Sequence, residues 1–152
     1  MIVGLHHVAI SVPDIDEGIA FYRDVLGFEI IQENEWDGNF ELADRAVGLE
    51  KTSARMRMLF LGNAYIELWE YRAPKPRDRR AQPPDLGYPH FALQVEGIEA
   101  EYQRLQKGGM EFVGPVVDFG KSSAVYGRDP FGNVIEIYEI REGVAPEIPR
   151  LP

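Results

Sequence analysis

Four side chains in this 152-residue chain are of the right type and spacing to hold a metal ion: His7 and Glu67 in the first half, His90 and Glu136 in the second. With no cysteine anywhere in the chain, imidazole and carboxylate are the donors left for a divalent ion. Each of the four interrupts an alternating apolar run. Side chains on a strand point to opposite faces in turn. Around His7, the residues Val8, Ile10 and Val12 take one face, and His7, Ala9 and Ser11 take the other. Around His90, the residues Phe91, Leu93 and Val95 oppose His90, Ala92 and Gln94. Near the end of each half, Ile66 and Leu68 alternate with Tyr65, Glu67 and Trp69. Ile135 and Ile137 alternate in the same way with Val134, Glu136 and Tyr138.

A glutamate among aliphatic neighbours is costly to bury unless it is paired or metal-bound. Taken singly, a strand histidine is more often a hydrogen-bonded residue than a ligand, and a strand glutamate is as often solvated. The matched set of four is what points to a metal centre. Two imidazoles and two carboxylates suit Zn, Co, Ni, Mn or Fe(II), whereas calcium prefers more oxygen ligands. Ala9, Ala92 and Gln94 leave room beside the histidines. Tyr65, Trp69 and Tyr138 share faces with the ligands and are candidate pocket residues, although aromatic rings on a sheet serve equally well as packing. His6 is assigned to the packing face.

The elements that must position these residues repeat. In the first half a strand over 5–12 leads to a helix that Asp14 can cap, with Glu17 three residues on. Ile15, Ile19, Tyr22 and Leu26 form one helical stripe, and Gly27 is a natural stop. A strand near 28–33 follows, then a polar, irregular stretch over 34–53. Strands over 54–61 and 64–71 are joined by the turn Gly62-Asn63. A proline-rich, basic linker spans 72–87. The second half offers a strand over 89–95, a helix over 98–107 ended by Gly108-Gly109, and a short strand over 111–113. A strand pair over 123–128 and 133–140 then surrounds the turn Asp129-Pro130-Phe131-Gly132. Both halves read strand, helix, strand, strand, strand, and neither alone can cover both faces of its sheet. The expected arrangement is one α+β domain over 1–152, with module one at 1–71, module two at 88–141 and an irregular tail at 142–152.

Composition narrows the partners. A formal net charge of -9 repels the phosphate backbone and disfavours nucleic-acid binding. No apolar run approaches the roughly 20 residues that span a membrane. The first dozen residues lack the basic flank of a signal peptide, so a cytoplasmic location is expected. Disulfides and thiolate chemistry are excluded.

His6-His7-Val8-Ala9-Ile10, Phe21-Tyr22-Arg23-Asp24-Val25-Leu26-Gly27-Phe28, Ile66-Glu67-Leu68, Gly87-Tyr88-Pro89-His90-Phe91-Ala92 and Asp129-Pro130-Phe131-Gly132-Asn133-Val134-Ile135-Glu136 span nearly the whole chain. Together they resemble the vicinal oxygen chelate superfamily, which includes lactoylglutathione lyase, methylmalonyl-CoA epimerase, extradiol dioxygenases and antibiotic-resistance binding proteins. The resemblance implies paired βαβββ modules whose curled mixed sheets share a metal-binding cavity. It also implies ligands from the first and last strand of each module, the places held here by His7, Glu67, His90 and Glu136. Extradiol dioxygenases typically use two histidines and one carboxylate on iron, so a fourth donor at Glu67 looks more like the lyase and epimerase branches.

Four protein ligands on a six-coordinate ion leave two sites for adjacent substrate oxygens. A metal-bound carbonyl acidifies the neighbouring carbon. A base is then needed. The resemblance offers Glu136, whose counterpart in the lyase branch is thought to leave the metal transiently, and Glu50, roughly where the epimerase branch carries a base; Glu50 also reads as an exposed loop residue. The expected function is a divalent-metal-dependent isomerase or lyase acting on a small molecule, with thioesters and glutathione adducts among the candidates. A binding or resistance protein without turnover is the alternative, and an Fe(II) dioxygenase a weaker one. The basic linker could grip substrate phosphates or carboxylates, but a solvated connector is favoured. Homodimerisation is common among such relatives and is expected here.

Overall fold

In the computed structural model, which describes residues 1, 2, 4–141 and 148, the chain forms two compact units, Met1–Asp78 and Arg79–Pro152. The boundary falls inside the expected linker.

The first unit begins with β1, His7–Ser11. Asp14 then starts α1, Ile15–Tyr22, by accepting the N–H groups of Asp16 at 2.9 Å and Glu17 at 3.1 Å. These are donors that a first helical turn leaves open. Ile15, Ile19, Tyr22 and Leu26 are buried, as their spacing predicts. The helix itself ends before Leu26, and Gly27 turns the chain with φ 88°, a value that glycine adopts without a Cβ clash.

Strands β2 (Glu29–Asp37), β3 (Ser53–Leu61) and β4 (Ala64–Ala73) complete a sheet in the order β1-β4-β3-β2. β1 runs parallel to β4 and the other pairs are antiparallel. α1 lies against β4, over a core that includes Ile10, Val12, Leu59, Ile66 and Leu68. Full burial of such side chains contributes roughly 1.5–3 kcal/mol each.

The second unit repeats this plan. β5 (His90–Gln94) precedes α3 (Ile98–Lys107), and β6 (Glu111–Phe112), β7 (Val117–Asp118), β8 (Ser122–Arg128) and β9 (Val134–Ile140) follow. The order β5-β9-β8-β6 mirrors the first sheet, β5 is parallel to β9, and β7 adds a fifth strand on β8. Packing is tight at Gly127, where an added Cβ would lie 2.6 Å from Met110 Cε and 2.9 Å from Phe112 Cδ1.

Several elements depart from expectation. The stretch 34–53 is not irregular: β2 continues to Asp37 and a short helix, α2, spans Glu41–Val47. The polar residues Asn34, Glu35 and Trp36 join the strand because β3 pairs with them, a tertiary contact that local composition does not encode. α2 buries none of its residues; Asp44 ties it down by accepting the N–H groups of Lys51 at 2.7 Å and Thr52 at 2.9 Å. β7 was not anticipated, and β4 extends into the expected linker as far as Ala73. Val8, expected under the helix, is 36% exposed. Apart from Ile148, the expected irregular tail over 142–152 lies outside the described residues. Among the described residues no helix is long and apolar enough to cross a membrane.

Candidate metal centre

In the first unit β1 and β4 run in register, with His7 beside Tyr65 and Ala9 beside Glu67. His7 therefore sits diagonally from Glu67, across the small side chain of Ala9. Its Nε2 is 3.4 Å from Glu67 Oε2. The Trp69 indole Nε1 donates to the same carboxylate oxygen at 2.7 Å. His7 Nδ1 lies 2.9 Å from His6 Nδ1, and His6 stacks on Tyr65 with ring centroids 5.0 Å apart. His6 is thus exposed and bonded to His7, not packed in the core as expected. A bond at the second ring nitrogen fixes how an imidazole presents the first.

The second unit reproduces the relationship. Ala92 lies beside Glu136, and His90 Nε2 is 3.4 Å from Glu136 Oε2. Across the strand, β8 places Tyr126 directly opposite Glu136. The Tyr126 hydroxyl is 3.4 Å from His90 Nε2 and hydrogen-bonds Glu136. Burial, then the Glu136 charge and that hydrogen bond, push the Tyr126 pKa up. In the first unit, burial and then the charge of Glu67 raise that of Tyr71. Both phenols accordingly stay protonated, and that of Tyr126 acts as a neutral donor to Glu136.

A separation of 3.4 Å is long for a nitrogen-to-oxygen hydrogen bond. It is close to the spacing of neighbouring donors on an ion with bonds of about 2.1 Å, which is about 3.0 Å in a six-coordinate shell and about 3.4 Å in a tetrahedral one. Each pair therefore fits two neighbouring positions on one ion. Glu67 and Glu136 are mostly sequestered, with side chains 15% and 17% exposed. Among the described residues no three histidine or acidic side chains gather into one group, so the donors come as two pairs, one per unit.

The other expected site residues divide. Ala9 and Ala92 are exposed, while Tyr65, Trp69 and Tyr138 are half-buried. Trp69 stacks on Tyr71 at 5.2 Å and meets the edge of Trp36 at 5.7 Å. Tyr138 pairs with Gln94, whose Oε1 accepts the N–H of Ile148 at 3.1 Å. Glu50 is an exposed residue of the loop between α2 and β3. Tyr126 and His6 are neighbours of the site that were not anticipated. Only His6, adjacent to a candidate ligand, carried a visible signal.

The basic linker is partly committed. Arg72 belongs to β4 and pairs with Glu35 at 2.8 Å. Arg80 donates to the Phe131 carbonyl at 3.0 Å. Arg128 reaches back from β8 to Gln82 Oε1 at 2.9 Å. The linker is thereby fastened to the turn at 129–133.

Two units with the same strand order, each bringing a histidine and a glutamate together on neighbouring strands, define a duplicated α+β fold with two mixed sheets. The chain belongs to the glyoxalase/bleomycin resistance protein/dioxygenase superfamily, whose model matches residues 4–137. It is 32% identical over 149 residues to a 2-epi-5-epi-valiolone epimerase from Actinomyces sp., covering 93% of this chain and 81% of the relative. It is 30% identical over 139 residues to a probable lactoylglutathione lyase from Synechocystis, covering 89% of this chain and 94% of the relative. Among solved structures, a glyoxalase family protein from Bacillus cereus superimposes with a TM-score of 0.83 at 29% identity, covering 92% of this chain and 95% of that one.

Proposed function

We propose that this protein is a divalent-metal-dependent enzyme that moves a proton on the carbon next to a substrate carbonyl, as an epimerase or lyase does. The carrying observation is the repeated pair: one histidine and one glutamate per unit, in the same strand register, at the same 3.4 Å. His7, Glu67, His90 and Glu136 would hold the ion. When bound, the ion polarises a substrate carbonyl and so acidifies the adjacent C–H.

The chain's own residues divide the remaining work. Glu136 takes and returns the proton, with the neutral Tyr126 hydroxyl holding its carboxylate between transfers. Ala9 and Ala92 leave space on the ligand-bearing faces for the reacting carbons. Tyr65, Trp69 and Tyr138 offer apolar walls that exclude water. Between the two chemistries, epimerisation is favoured by the relative named as an epimerase, which aligns over 93% of the chain. Substrates in reach of this chemistry are small carbonyl compounds, including thioesters and hemithioacetals.

The test is solvent-deuterium exchange by the Co(II)-, Zn- or Mn-loaded protein across thioesters, hemithioacetals and 2-epi-5-epi-valiolone. Label should enter next to the carbonyl of at least one, and Glu136→Gln should abolish it. Tight ligand binding with no exchange would make the protein a sequestering one. Consumption of oxygen with strict Fe(II) dependence would make it a dioxygenase.

A further inference from the structure

The two glutamates are equivalent by register but not by surroundings. Two residues beyond each, on the same face, stand Trp69 in the first unit and Tyr138 in the second. We infer that Trp69 is a positioning residue that fixes Glu67 for metal binding, and that the α2 excursion between β2 and β3 sets where Trp69 stands; this rests on the metal-dependent function proposed above.

An indole N–H can only donate. At 2.7 Å from Glu67 Oε2 it holds that oxygen in one place. A carboxylate oxygen has two lone pairs, so Oε2 can accept the indole and still face His7 Nε2. The indole is confined in turn. It stacks on Tyr71 at an interplanar angle of 13° and meets Trp36 at 82°. Trp36 Nε1 donates to Thr52 Oγ1 at 2.9 Å, and Thr52 is fully buried. The Thr52 hydroxyl makes a short hydrogen bond to Asp44 of α2, so it accepts from one side and donates to the other. A run of oriented contacts thus leads from α2 through Thr52, Trp36 and Trp69 to Glu67. It passes only through the first unit, so one of the two donor pairs is held rigidly by a segment outside the repeat.

The experiment is Co(II) titration of wild type, Trp69→Phe, Trp36→Phe and His7→Ala, read by the visible absorption of the bound ion and by indole fluorescence. Trp69→Phe keeps a ring to stack but removes the N–H. It should weaken Co(II) binding by about 10–100-fold, the usual effect of losing a partner of a metal ligand, and alter the Co(II) spectrum. Trp36→Phe should do the same to a lesser degree and serves where Trp69→Phe folds poorly. A merely structural role would lower Tm and leave the affinity and spectrum of the folded protein unchanged. If His7→Ala loses Co(II) while both tryptophan variants bind as wild type does, the inference is overturned and the metal site stands. If wild type binds no Co(II), the metal site falls and the inference with it.

Discussion

Glu70 Oε2 accepts the backbone N–H of Ile15 at 2.9 Å, tying β4 to the first turn of α1. Glu139 accepts the N–H of Gly97, the cap of α3, in the corresponding place. A carboxylate at a helix N-terminus satisfies an open donor and meets the positive end of the dipole. Each sits three positions after a candidate ligand, on the opposite face, so one strand carries a candidate metal donor on one side and a helix anchor on the other. Glu70→Ala should cost about 1–2 kcal/mol in urea unfolding. Co(II) affinity should stay at the wild-type value; a matching loss of affinity would show that the two faces are not separable.

Asp129 holds the second unit's closing turn. Only 2% exposed, it accepts the N–H groups of Phe131 at 2.9 Å and Asn133 at 2.8 Å, and the Asn133 side chain at 2.8 Å. Asp129→Ala leaves these donors without their acceptor and should destabilise the protein by about 2–3 kcal/mol. Gly132→Ala should also destabilise it, because φ is 90° and the new Cβ would lie 2.9 Å from Arg80 Cδ. Thermal unfolding of both variants checks this; a wild-type Tm for either would contradict the role given to the turn.

The Thr52 hydroxyl and then the Thr52 backbone hold the Asp44 carboxyl below its ordinary pKa of 3.8. A carboxyl with a depressed folded-state pKa adds stability that is complete above its unfolded pKa and is lost as pH falls through the folded value. Wild type should therefore lose stability below about pH 4 more steeply than Asp44→Asn does. Chemical denaturation across pH 2–7 compares the slopes, and parallel profiles would count against this role for Asp44.

Tyr126→Phe removes the hydroxyl beside His90 and Glu136 while keeping the ring. Proton exchange should slow by about tenfold or more, with the metal retained. Unchanged exchange would remove Tyr126 from the site.

The repeat was legible because strand parity is strict: an apolar residue at every second position placed His7, Glu67, His90 and Glu136 on faces away from the helices, without coordinates. Asp14 marked the start of α1 by chemistry alone; Gly27, expected to stop it, instead turns the chain after a helix that already ends at Tyr22. Residues 34–53 were not legible. The strand character of Asn34, Glu35 and Trp36 comes from pairing with β3, and α2 has no buried stripe to announce it. Tyr126 was hidden for a related reason: its place opposite Glu136 depends on the β8–β9 register. The Trp69–Glu67 bond follows from two residues of equal parity, but the orientation of the indole is set by Tyr71 and Trp36.

The most direct test is metal stoichiometry by elemental analysis of purified wild type, His7→Ala and His90→Ala, each confirmed to be folded. The proposed function predicts about one divalent ion per chain for wild type, with near-complete loss in both variants if His7 and His90 hold the same ion. Full metal content in either histidine variant would contradict a centre shared between the two repeats.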